Sequence, residues 1–124
     1  MTGDADFRRI IDQRIFIDRA QLLEIEQMIR LQRHIERYAL LRQFAQGVVC
    51  DAACGCGYGS YLLATNPDVK AVFGVDGDGD AIAHARKEFG TGKTEFYVAD
   101  LAEWVCPRQI DMVISAETIE NLAD

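Results

Sequence analysis

Four acidic residues, Asp51, Asp76, Asp100 and Glu117, each stand at or beside the end of a short apolar run, and glycines at 55, 57 and 59 follow the first of them. Carboxylates in such places can accept hydrogen bonds from a ligand's hydroxyl or amino groups, or offset a positive charge on it. The glycines allow a tight turn, a close backbone approach and a helix N-terminus aimed at the ligand. Asp76 follows Gly55 by about 20 residues, the separation at which an acid at the second strand end can accept from both hydroxyls of a ribose. This points to an adenosine-type ligand without a 2′-phosphate. A pyrophosphate-binding turn reads Gly-x-Gly-x-x-Gly, whereas this one reads Gly-x-Gly-x-Gly, with Ser60 where a last glycine or alanine would be. Asp51 just ahead of the turn opposes a pyrophosphate and suits an ammonium or sulfonium group, so the pattern disfavours NAD.

The elements that must hold these residues follow from the hydrophobic pattern. Val48 to Asp51 is a predicted strand, and Tyr58 to Ala64 a helix that stops before Pro67. Ala71 to Val75 is a second strand. Asp80 is the expected cap of a helix from Ala81 to Phe89, which Gly90 ends. Thr94 to Ala99 is a third strand, Leu101 to Val105 a helical turn, Ile110 to Ala116 a fourth strand, and Glu117 to Leu122 the start of another helix. This alternation, with short apolar strands, predicts an α/β fold on a parallel sheet. Ahead of it, Thr2 to Asp6 is polar, and Phe7 to Ile17 reads as a short helix or an arm. Asp18 with Gln21 forms a capping-box pattern opening a long helix that Gly47 is expected to terminate. Leu22, Ile25, Met28, Ile29, Ile35, Tyr38, Leu41 and Ala45 recur on it at helical spacing, and the expectation is a core stripe that covers the sheet or meets a partner chain.

Composition narrows the function classes. The chain has 124 residues, 49% of them hydrophobic, enough for one core without disulfides or metal. Its net charge of −7 opposes a general affinity for DNA, RNA or anionic membranes. Arg30, Arg33, Arg37 and Arg42 share the long helix and read as a solvated face with Glu26 and Glu36 as partners. Cys50, Cys54, Cys56 and Cys106 lack zinc-ligand spacing and read as small filler residues in a reducing compartment, with redox sensitivity at Cys54 or Cys56 as the alternative. No signal-peptide pattern or membrane-length apolar run is evident, so a cytoplasmic location is expected.

Asp51-Ala-Ala-Cys-Gly-Cys-Gly-Tyr-Gly-Ser60, Gly74-Val-Asp76, Val98-Ala-Asp100 and Ile110 to Asn121, the last with Glu117-Thr-Ile-Glu120, together resemble the class I S-adenosylmethionine-dependent methyltransferases. The likeness is nearest to small bacterial members with a Glu-x-Ile-Glu-His motif, and Arg37-Tyr38 resembles the pair that precedes their first strand. The resemblance implies a Rossmann-like parallel sheet with helices on both faces. It makes residues 47–124 an S-adenosylmethionine-binding α/β domain, the N-terminal half of the family fold, and residues 1–46 a preceding helical segment. Gly55, Gly57 and Gly59 would wrap the methionine part of the cofactor, with Asp51 near its amino group and Tyr38 and Tyr58 lining that end. Asp76 would hold the ribose hydroxyls, Asp100 the adenine amino group, and Leu101 would lie beside the ring; Ala53, Gly77 and Ser115 complete the implied cofactor residues. Glu117 and Glu120 are the candidate catalytic bases, or otherwise mark a helix start favoured by negative charge.

Two features depart from the family. Asn121 stands where the motif usually has His. The family sheet has the order 3-2-1-4-5-7-6, and this chain ends just after its fourth predicted strand, whose apolar edge is expected to pair with something, a homodimer partner first. The resemblance thus implies a methyltransferase acting on a small-molecule or saccharide-like acceptor, with no nucleic-acid or membrane partner. The alternative is a non-catalytic cofactor-binding or assembly module of the same descent.

Overall fold

The computed structural model describes residues 16–116. They form α1 (Arg19–Arg42), β1 (Gly47–Ala52), α2 (Tyr58–Ala64), β2 (Val69–Asp76), α3 (Gly79–Phe89), β3 (Thr94–Val98) and β4 (Met112–Ile114). All strand pairs are parallel, in the order β3-β2-β1-β4, which is the order the family resemblance implies for its first four strands. Parallel strands need crossovers, and α2 and α3 supply those between β1, β2 and β3. Among the described residues no helix is long and apolar enough to cross a membrane.

The chain divides into two compact units, Met1–Leu31 and Gln32–Asp124. In the first, the capping box opens α1 as expected: the Gln21 N–H donates to Asp18 Oδ1 at 2.8 Å, and the Asp18 N–H donates to Gln21 Oε1 at 3.1 Å. The apolar stripe of α1 behaves differently from the expectation. Leu22, Ile25, Met28 and Ile29 are exposed, as is Ile35; of the eight stripe residues only Tyr38 and Ala45 are buried, with Leu41 packed partly against them.

The core of the second unit lies on one face of the sheet, where Val49, Val72 and Ile114 meet Tyr38 and Ala45 from the end of α1 and its following turn, and Leu63 and Ala64 from α2. Farther along the same face, Phe96 of β3 packs with Cys54 and with Ile82 and Ala85 of α3. The opposite face carries Val48, Ala71 and Phe73, and is covered by Tyr97, Trp104 and Cys106. Phe73 and Tyr97 stack there at 6.1 Å between ring centroids, with Trp104 tilted against both. Among the described residues, therefore, helices pack on one face and an aromatic cluster closes the other.

Of the boundaries that differ from the pattern-based expectation, three have a clear local physical reason. The helix ends at Arg42, and Gly47 instead begins β1, its φ of 69° turning the chain into the strand as its N–H donates to the Asp68 carbonyl at 2.9 Å. Asp78 rather than Asp80 caps α3: its backbone is extended and Oδ1 accepts from the N–H groups of Asp80 and Ala81. Asp80 sits in the first turn, where negative charge also favours the helix. The fourth strand is shorter than Ile110 to Ala116, because Asp111 turns its carboxylate back to accept the Val48 N–H at 2.8 Å while its own N–H donates to the Val48 carbonyl.

Candidate functional site

The carboxyl ends of β1, β2 and β3 open on one cleft of about 630 Å³, lined by Ala53, Asp76, Gly77, Val98, Ala99, Asp100 and Leu101. Its floor is the turn from β1 to α2. Cys54 ties this turn to β2 by donating its N–H to the Val75 carbonyl at 3.1 Å, and the Gly57 N–H closes it on the Cys54 carbonyl at 3.3 Å. Ala53, Gly55 and Gly57 all have positive φ, at 57°, 58° and 95°. For alanine that conformation costs about 1–2 kcal/mol. Ala53→Gly is therefore expected to leave stability unchanged or raise it by up to about 1 kcal/mol, after the greater chain entropy of glycine is subtracted. Thermal unfolding of the two proteins checks this.

The three glycines do different jobs. A side chain at Gly59 would run into the Tyr38 ring, and one at Gly57 into Ala85 and Phe96. These two make room for packing beneath the turn. Gly55 has nothing within 4 Å of where a Cβ would stand, and neither has Gly77. Gly55 thus leaves the turn open toward a ligand, and its N–H donates to Asp76 Oδ2 at 2.9 Å.

That hydrogen bond joins the turn to the end of β2. The other oxygen of Asp76 accepts the Asp78 N–H at 2.9 Å, so each oxygen is fixed by one backbone donor and keeps further accepting capacity. Asp100 is held in the same manner, Oδ1 accepting the Ala102 N–H at 2.9 Å while its carbonyl receives the N–H groups of Glu103 and Trp104. Backbone fixation of two carboxylates lowers the entropy a ligand would otherwise have to remove.

Asp51 is placed differently. It is fully buried, accepting the Tyr38 hydroxyl at 2.9 and 3.2 Å on its two oxygens and the Ser60 hydroxyl at 2.6 Å. The carboxylate therefore lies under the turn, not on the cleft wall. Tyr38 also meets Tyr58 and His34 edge to face at ring separations of 6.0 and 5.2 Å, joining the end of α1 to the start of α2. The structure thus brings Ala53, Asp76, Gly77, Asp100 and Leu101 to one cleft, joins Gly55 to it through the hydrogen bond to Asp76, and groups Tyr38, Asp51, Tyr58 and Gly59 in the packing beside the turn. Ser115 is half-buried beyond β4; Glu117 and Glu120 lie outside the described residues.

Sequence reasoning missed Val98 and Ala99, whose signal was their place between the third apolar run and Asp100. It also missed the Ser60 hydrogen bond, since that residue was read only as a substitute for glycine. His34 could have been found by its position four residues before Tyr38, on the same side of α1.

The cysteines at the turn differ by burial. Desolvation, then the neighbouring Asp51 charge, raises the Cys50 thiol from 9.0 to about 11, and the same causes with Asp76 raise Cys54 further. Cys56 is exposed. Iodoacetamide near pH 8 is expected to modify Cys56 and spare Cys50 and Cys54 until the chain unfolds, which peptide mapping reads. Because the folded value of Cys50 lies above the unfolded one, its contribution to stability is complete below about pH 9 and is lost as pH rises toward 11.

The family described as "Methyltransferase domain" matches residues 49–124, more than half of the chain. The chain belongs to this family. No curated protein sequence matches it. Among solved structures, the TehB-like S-adenosylmethionine-dependent methyltransferase of Corynebacterium glutamicum is similar at TM-score 0.59 and 21% identity, over 85% of this chain and 59% of that one. Streptomyces venezuelae DesVI gives 0.59 and 17%, over 82% and 44%. The YcgJ protein of Bacillus subtilis gives 0.56 and 20%, over 66% and 38%. At these identities the likeness establishes the fold, and the chain spans less than two thirds of each neighbour's length.

S-adenosylmethionine is the cofactor that this methyltransferase membership implies. The residues present are compatible with it: open space over Gly55 and Gly77, the Asp76 carboxylate at the end of β2, and a second carboxylate, Asp100, beside the apolar Leu101.

Proposed function

We propose that the chain binds S-adenosylmethionine in the cleft and transfers its methyl group to a small-molecule or saccharide-like acceptor. The observation that carries the reading is the Asp76 carboxylate, locked by the Gly55 and Asp78 N–H groups at the mouth of an open turn. In this reading Asp76 accepts the ribose hydroxyls, Asp100 the adenine amino group, and Leu101 flanks the ring. Gly55 lets the backbone approach the methionyl part, Tyr58 and Tyr38 border that end, and Ser115 lies at the far side. Asp51, held by the Tyr38 and Ser60 hydroxyls, supplies negative potential under the cofactor's amino group.

When bound, the cofactor supplies an electrophilic methyl on a sulfonium. The chain's own contribution is orientation, since an in-line displacement depends on alignment of acceptor and methyl. Glu117 and Glu120 are the local groups able to take a proton from the acceptor where one must leave. The charge of −7 supports a small-molecule or saccharide-like acceptor over nucleic acid or a membrane surface. We assign residues 47–124 to the cofactor domain and residues 1–46 to a helical segment. A second copy of the chain is the proposed partner, favoured by the exposed Val113 on β4, 64% accessible at the sheet's edge.

A second reading, a cofactor-binding module without transfer, is favoured by Asn121, which stands where the related motif usually carries a histidine. Methyl-labelled S-adenosylmethionine separates the two. Label entering a mixed small-molecule and oligosaccharide fraction supports transfer; label entering only RNA overturns the acceptor class; retained binding with no label in any fraction supports the module.

A further inference from the structure

The part of α1 that belongs to the second unit turns one face inward. Between Gln32 and Leu41, His34, Arg37, Tyr38 and Leu41 are buried or half-buried and the residues between them are exposed, the spacing of a single helix face. Tyr38 and Leu41 join the core there. His34 and Arg37 give the same face two basic groups.

The contacts of α1 with α2 fix where that face points. Near the end of α1, Arg42 donates from Nε to Thr65 Oγ1 at 2.6 Å and from Nη2 to the Thr65 carbonyl at 3.0 Å, at the foot of α2. One turn back, the Tyr38 ring occupies the space a side chain at Gly59 would need. A further turn back, the His34 ring meets Tyr58, the first residue of α2, edge to face at 5.3 Å. The two helices therefore run in the same direction, and His34 stands where the chain leaves the glycine turn for α2.

Two opposite charges meet at this place. Tyr38 lies between them, its hydroxyl on the buried Asp51 carboxylate and its ring against His34 at 5.2 Å. A ligand end that carries an ammonium and a carboxylate on one carbon is matched by a negative and a positive group set apart in this way. Arg42 and Lys93 are committed to the foot of α2, and Arg86 to the Phe96 carbonyl, so the basic groups at its head are those of α1. Of these, His34 has its ring placed by packing against two tyrosines. An imidazole N–H donates to a carboxylate whether the ring is neutral or charged.

We propose that His34 holds the α-carboxylate of the cofactor's methionyl end, while Asp51 supplies the potential for the amino group. This rests on the cofactor reading above and names the residue that distinguishes an amino-acid end from a bare amine. Arg37 adds positive potential on the same face of α1.

Calorimetric titration of the wild type, His34→Ala and His34→Phe with S-adenosylhomocysteine and with its decarboxylated analogue tests this, with circular dichroism to confirm that each variant is folded. The phenylalanine keeps a ring against Tyr38 and Tyr58 and removes both nitrogens. The wild type is expected to bind S-adenosylhomocysteine at least about tenfold more tightly than the analogue. Both variants are expected to lose at least about tenfold for S-adenosylhomocysteine and to stay within about threefold of wild type for the analogue. A His34→Phe protein that binds S-adenosylhomocysteine within about threefold of wild type overturns the proposal and leaves His34 a packing residue. Equal losses for the two ligands, or a wild type that binds both equally, overturn the carboxylate assignment and leave the cofactor reading standing. A folded wild type that binds neither ligand overturns both.

Discussion

Replacing Gly59 with alanine is expected to destabilise the protein by about 3 kcal/mol or more, the upper range for overpacking. A Cβ at that position would fall inside the van der Waals shell of three Tyr38 ring carbons. Tyr38 has no room to withdraw, being fully buried, and its hydroxyl is committed to Asp51. Moving the ring would also strip a donor from a buried carboxylate, itself a loss of about 1–3 kcal/mol. The clash belongs to one pair of residues, so Tyr38→Ala should relieve much of it. The double variant is expected to be more stable than the sum of the two single effects by at least about 1 kcal/mol, measured by denaturant unfolding. Additive losses, or a Gly59→Ala protein within about 0.5 kcal/mol of wild type, would show that the ring can move aside. Gly55→Ala serves as the contrast: with open space around its Cβ, only its positive φ opposes the change, by about 1–2 kcal/mol.

Asp76→Ala is expected to weaken S-adenosylmethionine binding by about 100-fold or more, the loss of two hydrogen bonds to a charged acceptor. Stability should fall much less, by about 1–2 kcal/mol, because the Gly55 and Asp78 N–H groups left behind lie in a part-exposed loop and can take water instead. The separation of the two effects is the informative part. Equilibrium dialysis gives the affinity and thermal unfolding the stability; a variant that binds within about threefold of wild type would remove Asp76 from the ribose role.

The parts of this arrangement that were legible in the sequence are those written in one local signal. The β1 run, the glycine turn and the acid after β2 each follow from residue type and spacing, and the strand order followed from the resemblance that those motifs carry. The Asp18-Gln21 capping box was equally readable, because both of its hydrogen bonds join residues three apart. What failed was of another kind. The α1 stripe has a core-like period, yet burial depends on what the fold sets against it, and among its apolar residues only Tyr38 is taken fully into the sheet's core. The glycines look equivalent in the pattern, and only the positions of Tyr38, Ala85 and Phe96 distinguish packing glycines from the ligand-facing one. Asp51 reads as a cofactor contact, but its place under the turn depends on hydroxyls 13 residues before it and 9 after it. Asp80 was the expected cap of α3, and an extended backbone at Asp78 places the cap two residues earlier.

The central claim is that this methyltransferase-family chain carries a working cofactor cleft. Calorimetric titration of the purified chain with S-adenosylmethionine and S-adenosylhomocysteine tests it most directly. Saturable binding of about one ligand per chain, with micromolar dissociation constants for both, is the predicted result. A chain that is folded by circular dichroism and takes up neither ligand at about millimolar concentration would contradict it, and would leave the glycine turn and its two fixed acids as inherited architecture.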